Sequence, residues 1–137
     1  MLKVFGNTYE VSREALEAQA KEAFLYIGDD FEVNFRFVSE ERIKKLNRVY
    51  RSKNRSTDVL SFKLEEDMAG GDIVICYKEA VSEAKAWKMS LDQTVSLLLV
   101  HGILHLAGFD HTNPKDRAKM EAHEAAILEK KGIKIER

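Results

Sequence analysis

One segment, residues 90–106, constrains the fold more than any other part of the chain. Ser90 and Gln93 form a capping-box pattern, which predicts that a helix begins here. The residues that follow are apolar on nearly every helical face, so this helix must be buried among other elements. Its most apolar window, residues 95–100, is far short of the roughly 20 residues needed to span a bilayer. We therefore expect a soluble protein, without a membrane partner, built around a central helix.

Three of the four histidines lie within eleven residues, in this helix or just after it. His101 and His105 are four residues apart, so their rings project from one helix face. Gly108 can adopt the left-handed conformation that ends a helix, and the turn would return His111 to the same point. Core histidines satisfied by hydrogen bonds are the alternative, but burying two on an apolar helix is costly without a strong partner. Three imidazoles and no fourth protein ligand predict one zinc ion per chain, with a zinc-bound water in the open position.

The spacing H-x-x-x-H-x-x-G-x-x-H matches the ligand pattern of metzincin proteases. In zinc proteases the residue after the first histidine is a glutamate that acts as general base, but here it is Gly102. Peptide hydrolysis would therefore need a carboxylate from elsewhere, and no general base is identified. Asp110, beside His111, could act as a base or, as we favour, as an acceptor that orients a ligand ring. His123, among charged residues of the last helix, is expected at the surface and not as a fourth ligand.

Strand and helix patterns alternate over the rest of the 137 residues. Strands are predicted at residues 2–11, 31–37, 59–64 and 73–76. Gly6-Asn7 could fold the first of these into a hairpin, and the last is apolar on both faces and therefore central. Four further helices are predicted, from Ser12 to Gly28, from Ser39 to Tyr50, from Tyr77 to Lys88 and from Asn113 to near Gly132. The sequence thus predicts an α+β fold, with a small mixed sheet of about four strands and about five helices, in which a metzincin-like helix carries the metal ligands. We expect a single domain over residues 1–137.

The single cysteine of the chain indicates a reducing cellular compartment. Cys76 is the single cysteine, so the chain forms no internal disulfide and has no disulfide partner. A reducing compartment, the cytoplasm, follows from this usage. Because its neighbours are apolar, Cys76 is predicted to be a small buried core residue and not a nucleophile.

The cations are concentrated in one stretch. The 22 Lys and Arg nearly balance the 23 Asp and Glu, which excludes binding of nucleic acid by bulk charge alone. Residues 42–56 nevertheless carry no acidic residue and seven cations: Arg42, Lys44, Lys45, Arg48, Arg51, Lys53 and Arg55. This cluster is either a solvated helix face or a local anion-binding surface. Beside a hydrolytic metal it indicates a phosphate-bearing substrate. Arg51, Lys53 and Arg55 are expected beyond the helix, in a loop that can reach into a cleft, where an arginine fork can hold two phosphate oxygens.

The motif H-G-x-L-H-L-x-G-x-D-H at residues 101–111 is long and specific. Together with other short matches it resembles the YbeY family of bacterial metal-dependent endoribonucleases. Those matches are Leu46-Asn47, Tyr50-Arg51, residues 57–62, residues 71–73, Met120 and Glu124. The resemblance covers nearly the whole chain. Ser56 and Lys63 depart from it, because the family often has proline at both positions.

The resemblance implies a zinc-dependent, single-strand-specific endoribonuclease that acts in 3′-end maturation of 16S rRNA and in ribosome quality control. It implies single-stranded RNA, ribosomal RNA and the small ribosomal subunit as partners. By the same resemblance His101, His105 and His111 hold zinc, and Arg51 matches a functionally important arginine.

The mechanism that we expect is metal-assisted phosphodiester hydrolysis. Either the zinc-bound water or the substrate's own 2′-hydroxyl would attack. Arg51 would stabilise the developing negative charge, and Arg48, Lys53 and Arg55 would help to bind RNA. Two alternatives stay open at this point. One is a metallopeptidase with a metzincin-like site, and the other is a non-catalytic ribosome-assembly module that zinc stabilises.

Overall fold

A computed structural model of the chain describes residues 1–51, with the Arg51 side chain left out, residues 57–109 and residues 113–133. These residues form four strands and five helices. The strands are β1 (Leu2–Phe5), β2 (Val33–Val38), β3 (Val59–Lys63) and β4 (Gly71–Cys76). The helices are α1 (Arg13–Ile27), α2 (Glu40–Arg51), α3 (Tyr77–Trp87), α4 (Leu91–Leu106) and α5 (Pro114–Glu129). The predicted α+β class, with its four-stranded sheet and five helices, is confirmed.

The four strands form one mixed sheet in the order β1-β2-β4-β3. β1, β2 and β4 are parallel, and β3 pairs antiparallel with β4 at one edge. Ile73 and Ile75 of β4 belong to the main core with α4, whereas Val74 and Cys76 pack with Ile43 of α2 on the other face. β4 is therefore an interior strand that is buried on both faces, as its apolar sequence predicts.

Helix α4 lies at the centre of the molecule. The predicted capping box is present, with Ser90 and Gln93 each bonding the other's backbone N–H. Ten of its sixteen residues are buried, and it contacts α1, α3, α5, β3 and β4. Within the part of the chain that the structure describes, no helix is both long enough and apolar enough to cross a membrane.

Gly102 allows α4 to lie directly on β4. A Cβ atom at this position would come within 2.8 Å of Cδ1, 3.1 Å of Cγ1 and 3.3 Å of Cγ2 of Ile73. Because Ile73 is fully buried, it has little room to retreat from such an atom. The glutamate that zinc proteases carry here would require Ile73 to move.

The first strand ends earlier than the sequence predicts. β1 stops at Phe5, and no hairpin forms in the described residues 6–11. Gly6 has a φ of 75°, in the left-handed region, and the chain turns there toward α1. Arg13 stabilises this turn because its guanidinium donates to the carbonyl groups of Val4 and Gly6. These carbonyls therefore bind a side chain from the helix instead of a second hairpin strand.

Cys76 is fully buried at the end of β4. Burial raises the pKa of its thiol above the ordinary value. The thiolate is the nucleophilic form of cysteine, and a raised pKa disfavours it. Cys76 is therefore a core residue and not a nucleophile, as predicted.

The contact between Gly102 and Ile73 predicts an energetic coupling. Gly102→Ala should lower the free energy of unfolding more in the wild-type background than in an Ile73→Val background, because valine lacks the nearest atom, Cδ1. Overpacking costs about 1–3 kcal/mol, and the higher helix propensity of alanine offsets about 1 kcal/mol of it. Urea denaturation of the wild type, both single variants and the double variant should give a coupling of about 1 kcal/mol. Strictly additive effects would contradict this packing.

Candidate metal centre and substrate cleft

His101 and His105 lie one turn apart on α4, and both rings are half-buried. The residues between and beside them, Gly102, Ile103 and Leu104, are fully buried. The two imidazoles therefore lie where the central helix comes to the surface of the molecule. This arrangement agrees with the spacing that predicts them as a ligand pair.

Glu124 of α5 fixes the orientation of the His101 ring. Its Oε2 atom lies 2.8 Å from Nδ1 of His101, and its side chain is only 1% exposed. A carboxylate can only accept a hydrogen bond, so Nδ1 of His101 is inferred to carry the proton. In the neutral ring the lone pair is then on Nε2, which is the nitrogen through which this ring would bind a metal.

Ser61 of β3 has the same role for His105. Its Oγ atom lies 2.8 Å from Nδ1 of His105. A hydroxyl can accept from an Nδ1–H group, so this contact is also compatible with metal binding through Nε2. Metal-binding histidines in proteins generally donate their second ring N–H to an oxygen atom in this way.

The donor set fits a borderline metal such as zinc, because two oriented imidazoles at i and i+4 are typical zinc ligands. Among the described residues, no group of three His, Cys, Asp or Glu side chains could hold a metal ion. The predicted third ligand, His111, and the predicted orienting residue, Asp110, both lie outside the described residues. Their roles therefore stay predictions.

The chain turns directly after α4. Gly108 has a φ of 104°, so this glycine takes the left-handed conformation that the sequence predicts. The Phe109 ring then packs edge-on against His123, with ring centroids 4.9 Å apart. Nδ1 of His123 lies 2.6 Å from the hydroxyl of Tyr26 in α1. His123, which is expected at the surface, is half-buried because its ring packs against Tyr26 of α1 and against Phe109, just after α4.

A cleft of about 950 Å³ opens beside His105. His105 and Ser61 line it together with aromatic and charged side chains from several elements. The aromatic lining residues are Phe5, Tyr50, Phe62 and Phe109; the cations are Arg36, Arg42 and Lys63; the acids are Glu66 and Asp72. His105 thus borders a space that could hold a substrate with both flat rings and negative charge.

The structure describes only some of the predicted RNA-binding residues. Arg48 is exposed on α2, and Lys53 and Arg55 lie outside the described residues. Arg51 is the last residue of α2, so its predicted position beyond the helix is wrong. The reason is local, since arginine is a good helix former and continues the helix past Tyr50.

Sequence reasoning gave no role to Glu124, Ser61 or Arg36. For Glu124 a signal was present, because Met120, Glu124 and Ile127 share one buried stripe of α5, and a carboxylate on such a stripe needs a polar partner. Ser61 of β3 and Arg36 of β2 are ordinary polar residues of strands, and nothing in the neighbouring sequence marks them. Only the packing of the elements shows that Ser61 contacts a histidine and that Arg36 lines a cleft.

The fold and the histidine pair define a class of protein, an α+β domain with two oriented imidazoles on its central helix, one of which lines a cleft of active-site size. The family model for endoribonuclease YbeY matches residues 5–132. The endoribonuclease YbeY of Finegoldia magna is 43% identical over 110 residues, which cover 77% of this chain and 72% of that protein. That of Macrococcus caseolyticus is 36% identical over 135 residues, which cover 91% and 86%.

The solution structure of TM1509 from Thermotoga maritima is similar in fold. It matches with a TM-score of 0.68 at 27% identity and covers 96% of this chain and 92% of that one. The chain belongs to the endoribonuclease YbeY family, and the resemblance stated from its motifs is confirmed.

The contact with Glu124 predicts the tautomer of His101. In metal-free protein, the neutral His101 ring should carry its proton on Nδ1. Glu124→Gln should keep this tautomer because the amide oxygen can accept, whereas Glu124→Leu should shift the ring toward the Nε2–H form. Nitrogen-15 NMR of the histidine rings measures the tautomer directly. Glu121→Gln, an exposed change on the same helix, is the control. A wild-type ring protonated on Nε2 would contradict the assignment.

Proposed function

We propose that this chain is a zinc-dependent, single-strand-specific endoribonuclease of the cytoplasm that acts in 3′-end maturation of 16S rRNA and in ribosome quality control. Its membership in the endoribonuclease YbeY family supports RNA cleavage. The observation that carries the proposal is the position of His105, which is oriented by Ser61 and lines a cleft with cations and aromatic rings. We assign the activity to one domain over residues 1–137, with ribosomal RNA and the small ribosomal subunit as partners.

His101, His105 and His111 would hold one zinc ion per chain. When bound, zinc would act as a Lewis acid and would lower the pKa of water toward neutral pH. The contribution of the chain is to orient the ligand rings. Glu124 fixes the tautomer of His101 from α5, and Ser61 holds His105 from β3. The site would thus depend on three separate elements of the fold.

The substrate phosphates would be bound by side chains of the cleft. Arg42 and Lys63 line the cleft, and their charges favour a polyanion there. We propose that Arg51, at the end of α2, stabilises the negative charge that develops at the scissile phosphate. Arg48, Lys53 and Arg55 would extend the RNA-binding surface from the same stretch.

Peptide hydrolysis is disfavoured by the surroundings of Gly102. Glycine stands where zinc proteases carry a glutamate, so the usual protease base is absent, and a side chain here would press on Ile73. Glu124 does not replace it, because its side chain is buried against His101. This leaves phosphodiester hydrolysis, in which the chain need not provide a carboxylate base, as the reaction that fits the site best.

The first test compares the histidines. His105→Ala should lose stoichiometric zinc and all cleavage of single-stranded RNA while remaining folded, because it removes a ligand. His123→Gln is the matched control and should retain both properties, since His123 contacts Tyr26 and Phe109. Elemental analysis, circular dichroism and RNA cleavage with and without chelator give the answer, with casein as a parallel substrate. A full zinc equivalent in His105→Ala would contradict the ligand set, and an unfolded variant would indicate structural zinc.

The second test concerns Arg51. Arg51→Ala should fold normally, retain zinc and lose about 10²- to 10³-fold in kcat, because a group that stabilises transition-state charge is removed. Arg51→Lys should recover part of the loss. Lys45→Ala, an exposed cation of the same helix outside the cleft lining, should leave kcat unchanged. A change confined to KM would make Arg51 a binding residue only.

A further inference from the structure

Two aromatic side chains line the cleft and have no role in the proposed chemistry. Tyr50 lies near the end of α2 and Phe62 lies on β3, with ring centroids 5.1 Å apart and ring planes at 59°. Phe62 packs on the smaller core cluster between α2 and the sheet. Tyr50 lies on top of it with 65% of its surface exposed. A tyrosine this exposed adds little to the core, but it lines the cleft, where its ring is accessible to a ligand.

The pair is close to the histidines along β3. Ser61, which contacts Nδ1 of His105, directly precedes Phe62. Consecutive Cα atoms are only about 3.8 Å apart, and alternate side chains of a strand lie on opposite faces. β3 is an edge strand, and both Ser61 and Phe62 line the same cleft. A flexible chain bound at His105 could therefore pass over the edge of the sheet and reach the Tyr50–Phe62 pair.

The charges near the pair favour phosphates. Arg42 and Lys63 line the same space, and the guanidinium of Arg36 lies 5.3 Å from the centroid of the Phe5 ring. Asp72 and Glu66 also line it, and Oδ1 of Asp72 accepts a hydrogen bond from Asn34 at 3.0 Å. Grooves that combine cations with exposed aromatic rings are typical of proteins that bind single-stranded nucleic acid, because cations hold the backbone and rings stack on bases.

We propose that Tyr50 and Phe62 form a nucleobase subsite, in which one unpaired base of the substrate stacks on the exposed Tyr50 ring while Arg42 and Lys63 hold the neighbouring phosphates. This inference rests on the proposed function and adds a physical cause for its single-strand specificity. A base inside a duplex is paired and already stacked between its neighbours, so it cannot lie on Tyr50 without leaving the helix.

The test measures binding in the presence of EDTA, so that no cleavage is needed. Fluorescence anisotropy compares a labelled single-stranded RNA with a strand of the same length that lacks every base. The wild type should prefer the base-bearing strand by at least about 10-fold. Tyr50→Leu, which keeps apolar bulk, should bind the base-bearing strand about 10-fold more weakly and the abasic strand equally well. Tyr50→Phe should behave like the wild type, because the ring face is unchanged.

Two controls separate stacking from charge. Arg42→Ala should weaken binding of both strands by the same factor, since it removes a phosphate contact. Tyr9→Ala should change neither, because Tyr9 is an exposed tyrosine that stacks on Tyr77 outside the cleft lining. Equal losses for both strands in Tyr50→Leu, or no loss at all, would overturn the subsite. The proposed function is judged separately: a wild type that prefers bases but cleaves no RNA with zinc would disprove the nuclease and leave the subsite in place.

Discussion

The contact of α4 with β4 at Gly102 is the constraint on which the rest of the structure depends. A helix that is apolar on nearly all sides is stable only when other elements surround it, and the sheet can approach it closely only where a side chain is missing. That approach brings β3 near enough for Ser61 to contact His105. The same glycine stands where zinc proteases carry their glutamate base. One packing requirement therefore both brings Ser61 to His105 and leaves the site without the usual protease base.

The orientation of the two rings depends on tertiary structure and not on the helix that carries them. Spacing on α4 sets which residues share a face, but the side-chain torsions of His101 and His105 are fixed by Glu124 and Ser61 on other elements. A buried carboxylate is costly unless a hydrogen-bond partner is present. Its contact with His101 supplies such a partner, so α5 connects the stability of the fold with the geometry of the site.

The sequence predicts those features whose cause is local. The capping box at Ser90, the apolar faces of β4 and the i,i+4 histidines are all properties of neighbouring residues, and each is found in the structure. Features that depend on distant partners could not be predicted. Ser61 and His105 are 44 positions apart, and Glu124 and His101 are 23 apart. The short first strand belongs to the same group, because Arg13 of α1 binds the carbonyls that a hairpin would use.

The distribution of charge explains how a nearly neutral chain could act on a polyanion. With a net charge of −1, the whole molecule exerts little attraction on RNA. Arg36, Arg42 and Lys63, however, come from three different elements and line one cleft. Charges concentrated in a cleft attract a substrate locally, whereas charges spread over the surface would bind any nucleic acid. With weak bulk attraction, the proposed preference for single strands would come from short-range contacts, and exposed rings beside the cations are contacts that the unpaired bases of a single strand could use.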